Sequence, residues 1–184
     1  MFYKGLVALS ACVFLSGCSL DMADKLKDYQ GSDVAYIRVD NSGQPTALRI
    51  QKLIPTGNCI RLDKPYGMTA SLAVVGIKTS YSKTVPGIAP VSANYAKRGY
   101  LEYAIKSEEK YKIWWTFHEQ SQYGIDLSRT WSSTFNAEKG HTYEIGTLGN
   151  DIDITDITTG EKTKSISFDE CPYTVSMLGE KKYN

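Results

Sequence analysis

The strongest constraint on the fold is a period of two in hydrophobicity between Tyr100 and Phe117. The apolar positions are Leu101, Tyr103 and Ile105, and then, after a polar turn, Tyr111, Ile113, Trp115 and Phe117. Successive side chains of a strand point to opposite faces, so the pattern predicts two β-strands that each bury one face. A helix would suit the charged residues 108–110, but the period of two holds on both sides of them. We predict that the two strands pair as a central antiparallel hairpin around the turn at 107–110.

The rest of the chain has the composition of short strands separated by turns. A hairpin is predicted from strands at 34–40 and 46–54, because residues 41–45 are rich in turn formers. Other strands are predicted at 59–62, 69–81, 131–135, 142–148, 152–157, 163–168 and 173–178. Residues 82–99 form a long irregular loop, of the kind that is either functional or mobile. About ten strands with regular turns and no strong helix predict an all-β chain, a single antiparallel β-sandwich or a barrel-like domain.

The first eighteen residues have the order of a secretory signal. Lys4 is followed by a short apolar run from Gly5 to Leu15 and then by small residues. The run is too short to span a bilayer, which needs about 20 apolar residues. The sequence Leu15-Ser16-Gly17-Cys18 resembles the lipobox of bacterial lipoprotein precursors. This resemblance implies cleavage after Gly17, diacylglycerol on the Cys18 thiol and an acylated amine.

The resemblance divides the chain and indicates where the protein lies. Residues 1–17 would be the signal, 18–32 the acylated cysteine with a polar tether, and 33–184 the β-sandwich domain. Two or more acyl chains anchor a protein stably, so the membrane is a partner through the acyl chains on Cys18. By analogy with the same family, Ser19 after the cysteine favours sorting to the outer membrane. We predict that the domain lies on the periplasmic face rather than on the cell surface. An ordinary signal peptide followed by a chance cysteine is the alternative.

A second, shorter resemblance supports the fold class. Residues 135–145 place an aromatic strand, a glycine turn and a Tyr-x-Ile strand in succession. The segment is similar to one found in small β-rich envelope lipoproteins of bacteria. It implies no activity.

The balance of charge excludes a large class of partners. The full chain has 21 Lys+Arg and 20 Asp+Glu, and the signal contains one lysine and no acid. The mature chain is therefore neutral and has no basic stripe. Nucleic-acid recognition relies on clustered Lys and Arg, so no nucleic-acid partner is predicted.

Two cysteines remain after the leader and the lipid are accounted for. Cys12 lies in the leader and Cys18 carries lipid, which leaves Cys59 and Cys171 in an exported domain. An oxidising compartment favours a disulfide between them, which would tie an early strand to the final one. The alternatives are two buried free thiols and a metal site. The metal site is disfavoured because neither histidine stands at ligand spacing from a cysteine.

No residue pattern in the chain points to catalysis. His118 and Glu119 are adjacent on a predicted strand, so their side chains point to opposite faces. His141 follows a turn glycine and is expected to form a surface hydrogen bond. Three aspartates suggest calcium but lack the spacing of an EF-hand; they are Asp151, Asp153 and Asp156. We therefore predict no enzyme, no cofactor and no metal.

Trp114 is the one candidate contact residue. It lies on the face opposite Trp115, beside Lys112 and Thr116, so it is either covered or available to a partner. The predicted function is that of a lipid-anchored, non-enzymatic scaffold or assembly component that binds an envelope protein. The alternative is a β-domain that binds a glycan or an apolar small molecule through Trp114 and loop 82–99. A hydrolase that acts through His118 or His141 is a third hypothesis.

Overall fold

The computed structural model describes residues 24–41, 48–69, 82–93, 95–96, 99–120, 126–148, 151–177 and 180–183. Side chains are described for all of these except 117–120, 126–127 and 148. Every regular element of the described residues is a β-strand, which confirms the all-β prediction. In this part of the chain there is no helix long and apolar enough to cross a membrane.

The described strands follow one another in short, mostly antiparallel runs. In chain order they are β1 (Val34–Asp40), β2 (Arg49–Thr56), β3 (Cys59–Leu62), β4 (Tyr66–Gly67), β5 (Tyr100–Lys106), β6 (Glu109–Gln120), β7 (Asp126–Ala137), β8 (Thr142–Leu148), β9 (Asp151–Asp156), β10 (Glu161–Lys162), β11 (Tyr173–Val175) and β12 (Lys181–Tyr183).

These strands form two five-stranded sheets and one small hairpin. The first sheet has the order β10-β9-β8-β1-β5, and the second has the order β3-β2-β6-β7 with β4 also paired to β2. The hairpin consists of β11 and β12. Among the described strands one pair, β1 with β8, is parallel, so the predicted antiparallel sandwich contains a parallel pair inside its first sheet.

The two large sheets pack on each other around one hydrophobic core. Strand β1 contributes Ala35, Ile37 and Val39, and β2 and β6 contribute Ile50 and Ile113 from the other sheet. These five side chains are almost wholly buried. Each strand gives every second residue to the core, as the period of two requires. The β-sandwich architecture follows from this arrangement.

The strands of the Tyr100–Phe117 stretch do not form the predicted hairpin. Strand β5 pairs with β1 along its whole length, whereas β6 pairs with β2 and β7 in the other sheet. The chain crosses between the sheets at residues 107–108. The two predicted rows are buried but face each other across the core; their described members are Leu101, Tyr103, Ile105, Tyr111, Ile113 and Trp115. The alternation identifies the buried face but not the neighbouring strand, and the Phe117 side chain lies outside the described residues.

The predicted hairpin of β1 and β2 is wrong for the same reason. β1 lies between β5 and β8, and β2 lies between β6 and the short strands β3 and β4. The two strands therefore belong to different sheets. Turn formers after β1 are equally compatible with a hairpin and with a crossing between layers.

Three other predicted segments differ from the structure or lie outside it. Residues 163–168 form no strand and instead cross the outer face of the second sheet. Most of the predicted strand 69–81, residues 70–81, lies outside the described residues. The described part of the predicted tether, residues 24–32, is extended and docks on the domain. There Leu26 donates a hydrogen bond to the Gly67 carbonyl at 2.9 Å and packs against the core.

Candidate functional site

Residues 82–93 of the loop predicted at 82–99 cover a buried group of charges, here called the Arg38 cluster, on the outer face of the first sheet. Arg38 is 0 % exposed, Glu102 1 % and Glu144 6 %. Arg38 donates from Nε and Nη2 to Glu102 Oε1, at 2.9 and 2.8 Å, and from Nη1 to Glu144 Oε1 at 2.7 Å. The cluster joins three neighbouring strands, β5, β1 and β8, through side chains that alternate with core residues.

The loop backbone completes the hydrogen bonding of the Arg38 cluster. Arg38 Nη2 donates to the Ala89 carbonyl at 2.6 Å, and Nη1 to the Pro90 carbonyl at 3.4 Å. The backbone N–H of Val85 donates to Glu102 at 2.8 Å. All five guanidinium N–H groups thus have acceptors. The described part of the loop is fixed to the sheet, and the cluster serves to hold it there.

Trp114 lies on the outer face of the second sheet, as the alternation predicts. It is half-buried, and the guanidinium of Arg49 stacks on the indole at 4.7 Å from the ring centroid. Its indole N–H is buried and has no hydrogen-bond partner among the described residues. Burial also lowers the pKa of Arg49. Trp114 and loop 82–99 lie on the outer faces of different sheets, so the described residues do not bring them into one pocket.

His141 joins two turns of the first sheet. Its Nδ1 lies 2.7 Å from Asp156 Oδ2, and its Nε2 lies 3.7 Å from Glu138. Asp156 also accepts a hydrogen bond from the Thr158 N–H at 2.9 Å. This is the local hydrogen-bonding role predicted for His141. The side chains of His118 and Glu119 lie outside the described residues, so the structure does not place them.

The aspartates considered for calcium are engaged separately. Asp153 pairs with Lys162 at 2.9 Å, and the buried Asp156 binds His141 from the other face of β9. Asp151 accepts a hydrogen bond from the Ile152 N–H next to it. Within the described ranges no group of three His, Cys, Asp or Glu side chains is placed to hold a metal ion.

The Cys59–Cys171 disulfide is present and fixes the C-terminal segment on the second sheet. The Cα atoms are 4.9 Å apart, as a disulfide requires. Cys171 lies before β11 and not on the final strand, so the predicted position of this end is corrected. Backbone bonds reinforce the link: Ile60 donates to the Asp169 carbonyl and accepts from the Cys171 N–H, each at 2.9 Å.

Glu170 anchors the β11–β12 hairpin beside this disulfide. It accepts hydrogen bonds from Lys181 Nζ and from the Tyr183 hydroxyl, each at 2.6 Å. The Tyr183 hydroxyl accepts a bond from the Leu62 N–H at 2.9 Å, which ties the hairpin to β3. Burial would raise the pKa of Glu170, but the bonds from Lys181 and Tyr183 outweigh it and the pKa is lowered.

The hairpin carries the exposed apolar surface of the described residues. Tyr173 is 40 % exposed, Val175 is 61 % exposed and Met177 is fully exposed. The described residues contain no other exposed large hydrophobic side chain. Tyr173 and Val175 alternate along β11 and therefore share a face, and Met177 lies in the turn that follows the strand; we call these three residues the apolar row. The sequence predicted a strand here, but a strand pattern normally indicates burial, and the exposure was not foreseen.

The backbone edge of β11 next to the apolar row is also unpaired. The Ser176 N–H donates to the Glu180 carbonyl at 2.8 Å, which makes these two residues a hydrogen-bonded pair. Counting back by two along β11, the next residue whose backbone bonds to β12 is Thr174. In antiparallel pairs, every second residue turns its N–H and C=O away from the partner strand. Tyr173 and Val175 therefore point theirs away from β12. No other described residue hydrogen-bonds these groups.

Comparison of this chain with protein-family models, with curated proteins and with solved structures finds no match in any of the three.

Proposed function

We propose that this chain is a lipid-anchored, non-enzymatic component of a bacterial envelope that binds a protein partner. The observation that carries the proposal is the apolar row on the free edge of β11. Exposed apolar residues that cluster are typical of interaction sites, whereas scattered ones are not. An unprotected strand edge is a template for strand addition, in which main-chain hydrogen bonds supply affinity. The apolar row combines both features.

The lipid anchor in this proposal rests on the sequence. Leu15-Ser16-Gly17-Cys18 ends the apolar run, and the proposed anchor is acyl chains on Cys18. The proposed location is the outer membrane, with the domain on its periplasmic face. Cys18 lies outside the described residues.

The proposal of a non-enzymatic role follows from how the candidate groups are used. His141 and Asp156 bind each other and brace two turns, and the Arg38 cluster holds a loop on its sheet. These arrangements are structural. The sequence also carries no motif for a nucleophile, a metal or a phosphate.

The ligand-binding alternative has less support. It requires Trp114 and loop 82–99 to share a site, but they occupy different outer faces. Arg49 moreover covers the indole ring that a sugar would stack on. No described feature favours a glycan over a protein partner.

The binding proposal is tested by crosslinking the acylated protein in native membranes and identifying what it captures. Val175→Glu places a charge in the apolar row and should remove the specific product. Position 175 lies opposite Lys181 on β12, so a glutamate there should leave the hairpin folded. Thr130→Glu, on an exposed position of β7, is the matched control and should retain the product. Equal capture by both variants would contradict the proposed surface.

The anchor is tested separately by mass spectrometry of the mature chain. We expect an N-terminal Cys18 that carries acyl chains, and an unprocessed or mislocalised precursor for Cys18→Ala. A soluble mature chain with an unmodified Cys18 would refute the anchor without affecting the binding surface.

A further inference from the structure

The segment of β11 that carries the apolar row is uncharged and is complementary to itself. Residues 172–177 read Pro-Tyr-Thr-Val-Ser-Met and contain no Lys, Arg, Asp or Glu. An antiparallel pairing of two such segments about Val175 would set Val175 against Val175 of the other copy and would bring Tyr173 toward Met177 in the turn that follows β11 of that copy. On the opposite face, it would place Thr174 against Ser176. Apolar side chains thus meet apolar ones, hydroxyls meet hydroxyls, and no like charges are opposed.

The backbone geometry favours the same register. Val175 turns its N–H and C=O away from β12, toward the free edge. Two copies related by a twofold axis at Val175 would make this residue a hydrogen-bonded pair, in which each copy donates to and accepts from the other. In a register shifted by one residue, the backbone N–H and C=O groups at the twofold axis would be those of Thr174 or Ser176, which already face β12.

We propose that the partner of the apolar row is a second copy of this chain, added to β11 as an antiparallel strand. The inference rests on the proposed function, since it identifies the occupant of the same surface. The result is a four-stranded sheet in the order β12-β11-β11-β12 across the twofold axis. The interface is isologous, so it closes as a dimer and does not propagate.

The surroundings of the row suit this dimer. Lys181 lies opposite Val175 on β12 and is the nearest charge on that face, but Glu170 binds its ammonium at 2.6 and 2.7 Å. The ring of Tyr183 packs against Tyr173 with centroids 5.9 Å apart. The Lys181 ammonium also lies 4.0 Å from the centroid of the Tyr173 ring, so the cation beside the row is paired with Glu170 and stacked on the row itself.

The contact is small, and the dimer is expected to be weak. Interfaces below about 1,200 Å² are typical of transient encounters. Attachment of both copies to one membrane raises their effective concentration, as a linker does. Dimerisation should accordingly be stronger on the membrane than in dilute detergent.

The test is disulfide trapping of the full acylated chain in its native membrane. Val175→Cys puts two thiols directly opposite each other, at about 5.5 Å between Cα atoms, where a disulfide can close. Lys182→Cys is the matched control on the same exposed hairpin. Its copies would be separated by three strand spacings, or about 14 Å. Mild oxidation should give a covalent homodimer from Val175→Cys and at least about tenfold less from Lys182→Cys.

A second measurement tests the equilibrium with the purified acylated chain in detergent. The sedimentation coefficient of the wild type should rise with concentration. Val175→Glu should remove this rise because it opposes two carboxylates at the axis, and Val175→Thr should retain it because the side chain stays uncharged and β-branched. Unchanged melting of both variants would show that the hairpin is folded.

The outcomes separate this inference from the proposed function. Equal trapping by the two cysteine variants, or a monomeric wild type at all concentrations, overturns the second copy as partner. Trapping of Val175→Cys to a different envelope protein, without a homodimer, also overturns the inference but supports the proposed binding surface. If the folded Val175→Cys chain forms no homodimer, and Val175→Glu and Thr130→Glu capture partners equally in the native membrane, both fail.

Discussion

Removal of the guanidinium at position 38 should destabilise the domain more than most single substitutions. Arg38→Met keeps much of the length and apolar stem of the side chain but removes all five N–H donors. These donors serve Glu102, Glu144 and two carbonyls of loop 82–99. After the substitution, two buried carboxylates are left close together without a cation.

The structure sets the expected magnitude. Breaking a buried ion pair by removing one partner costs about 3–5 kcal/mol, because the other charge is left unpaired. Here one cation serves two carboxylates that are 1 % and 6 % exposed, so we expect a loss at the upper end of that range. The whole stability of a domain is about 5–15 kcal/mol. A large fraction of it would be lost.

Urea unfolding, followed by fluorescence, measures the loss. With a slope of about 2 kcal/mol per molar, the midpoint should fall by about 2 M. A triple variant, Arg38→Met with Glu102→Gln and Glu144→Gln, removes both orphaned charges and should recover part of the stability. A loss below about 1 kcal/mol for Arg38→Met, within the range of exposed pairs, would refute the argument from burial. A triple variant no more stable than the single one would refute the role of the carboxylates.

Three further predictions follow from the core, the covalent link and the hairpin anchor. Trp115→Ala should lower the free energy of unfolding by about 3–5 kcal/mol, because this side chain is buried and stacks on the Trp131 indole. Trp114→Ala should cost clearly less, and a larger loss at Trp114 in thermal melts would contradict the assigned faces. Replacing Cys59 and Cys171 by serine should cost about 2–4 kcal/mol, and reduction of the wild type should give a similar loss in urea. Folding lowers the pKa of Glu170 below its ordinary value of 4.5. The ionised Glu170 therefore stabilises the folded state above pH 4.5, and this stabilisation is lost as the pH falls through the folded-state pKa. Glu170→Gln should therefore flatten the acid side of the melting profile, and an unchanged profile would contradict this.

The burial pattern of strands was predictable from the sequence, whereas their partners were not. The alternation of Leu101, Tyr103 and Ile105 correctly identifies the core face of β5. It contains no information on whether β6 continues the same sheet or begins the facing one. That choice depends on which other strands compete for the edge, and β1 pairs with β5 instead. Pairing between distant segments leaves no local signal in the chain.

Two features of the surface also lacked a local signal. Arg38 occupies an outward position of β1, which reads as solvated, yet the loop at 82–93 buries it with Glu102. Conversely, Tyr173 and Val175 read as core residues and are exposed, because β11 and β12 form a small sheet of their own and do not belong to the two sheets that enclose the core. Both reversals depend on tertiary placement of a neighbouring segment. The disulfide was predictable because the predicted leader and the predicted acylation of Cys18 left two of the four cysteines to pair.

The place of β1 inside the first sheet determines the order in which this protein can assemble. Arg38 binds Glu102, 64 positions away, and Glu144, 106 positions away, and β1 pairs with the strands that carry both. A strand with partners so far along the chain cannot pair natively until those partners are present, and closing such long loops costs conformational entropy before the pairing offsets it. Until then the apolar residues of β1 and both of its edges have no native partner. The first of the described strands in the chain is therefore among the last to be secured.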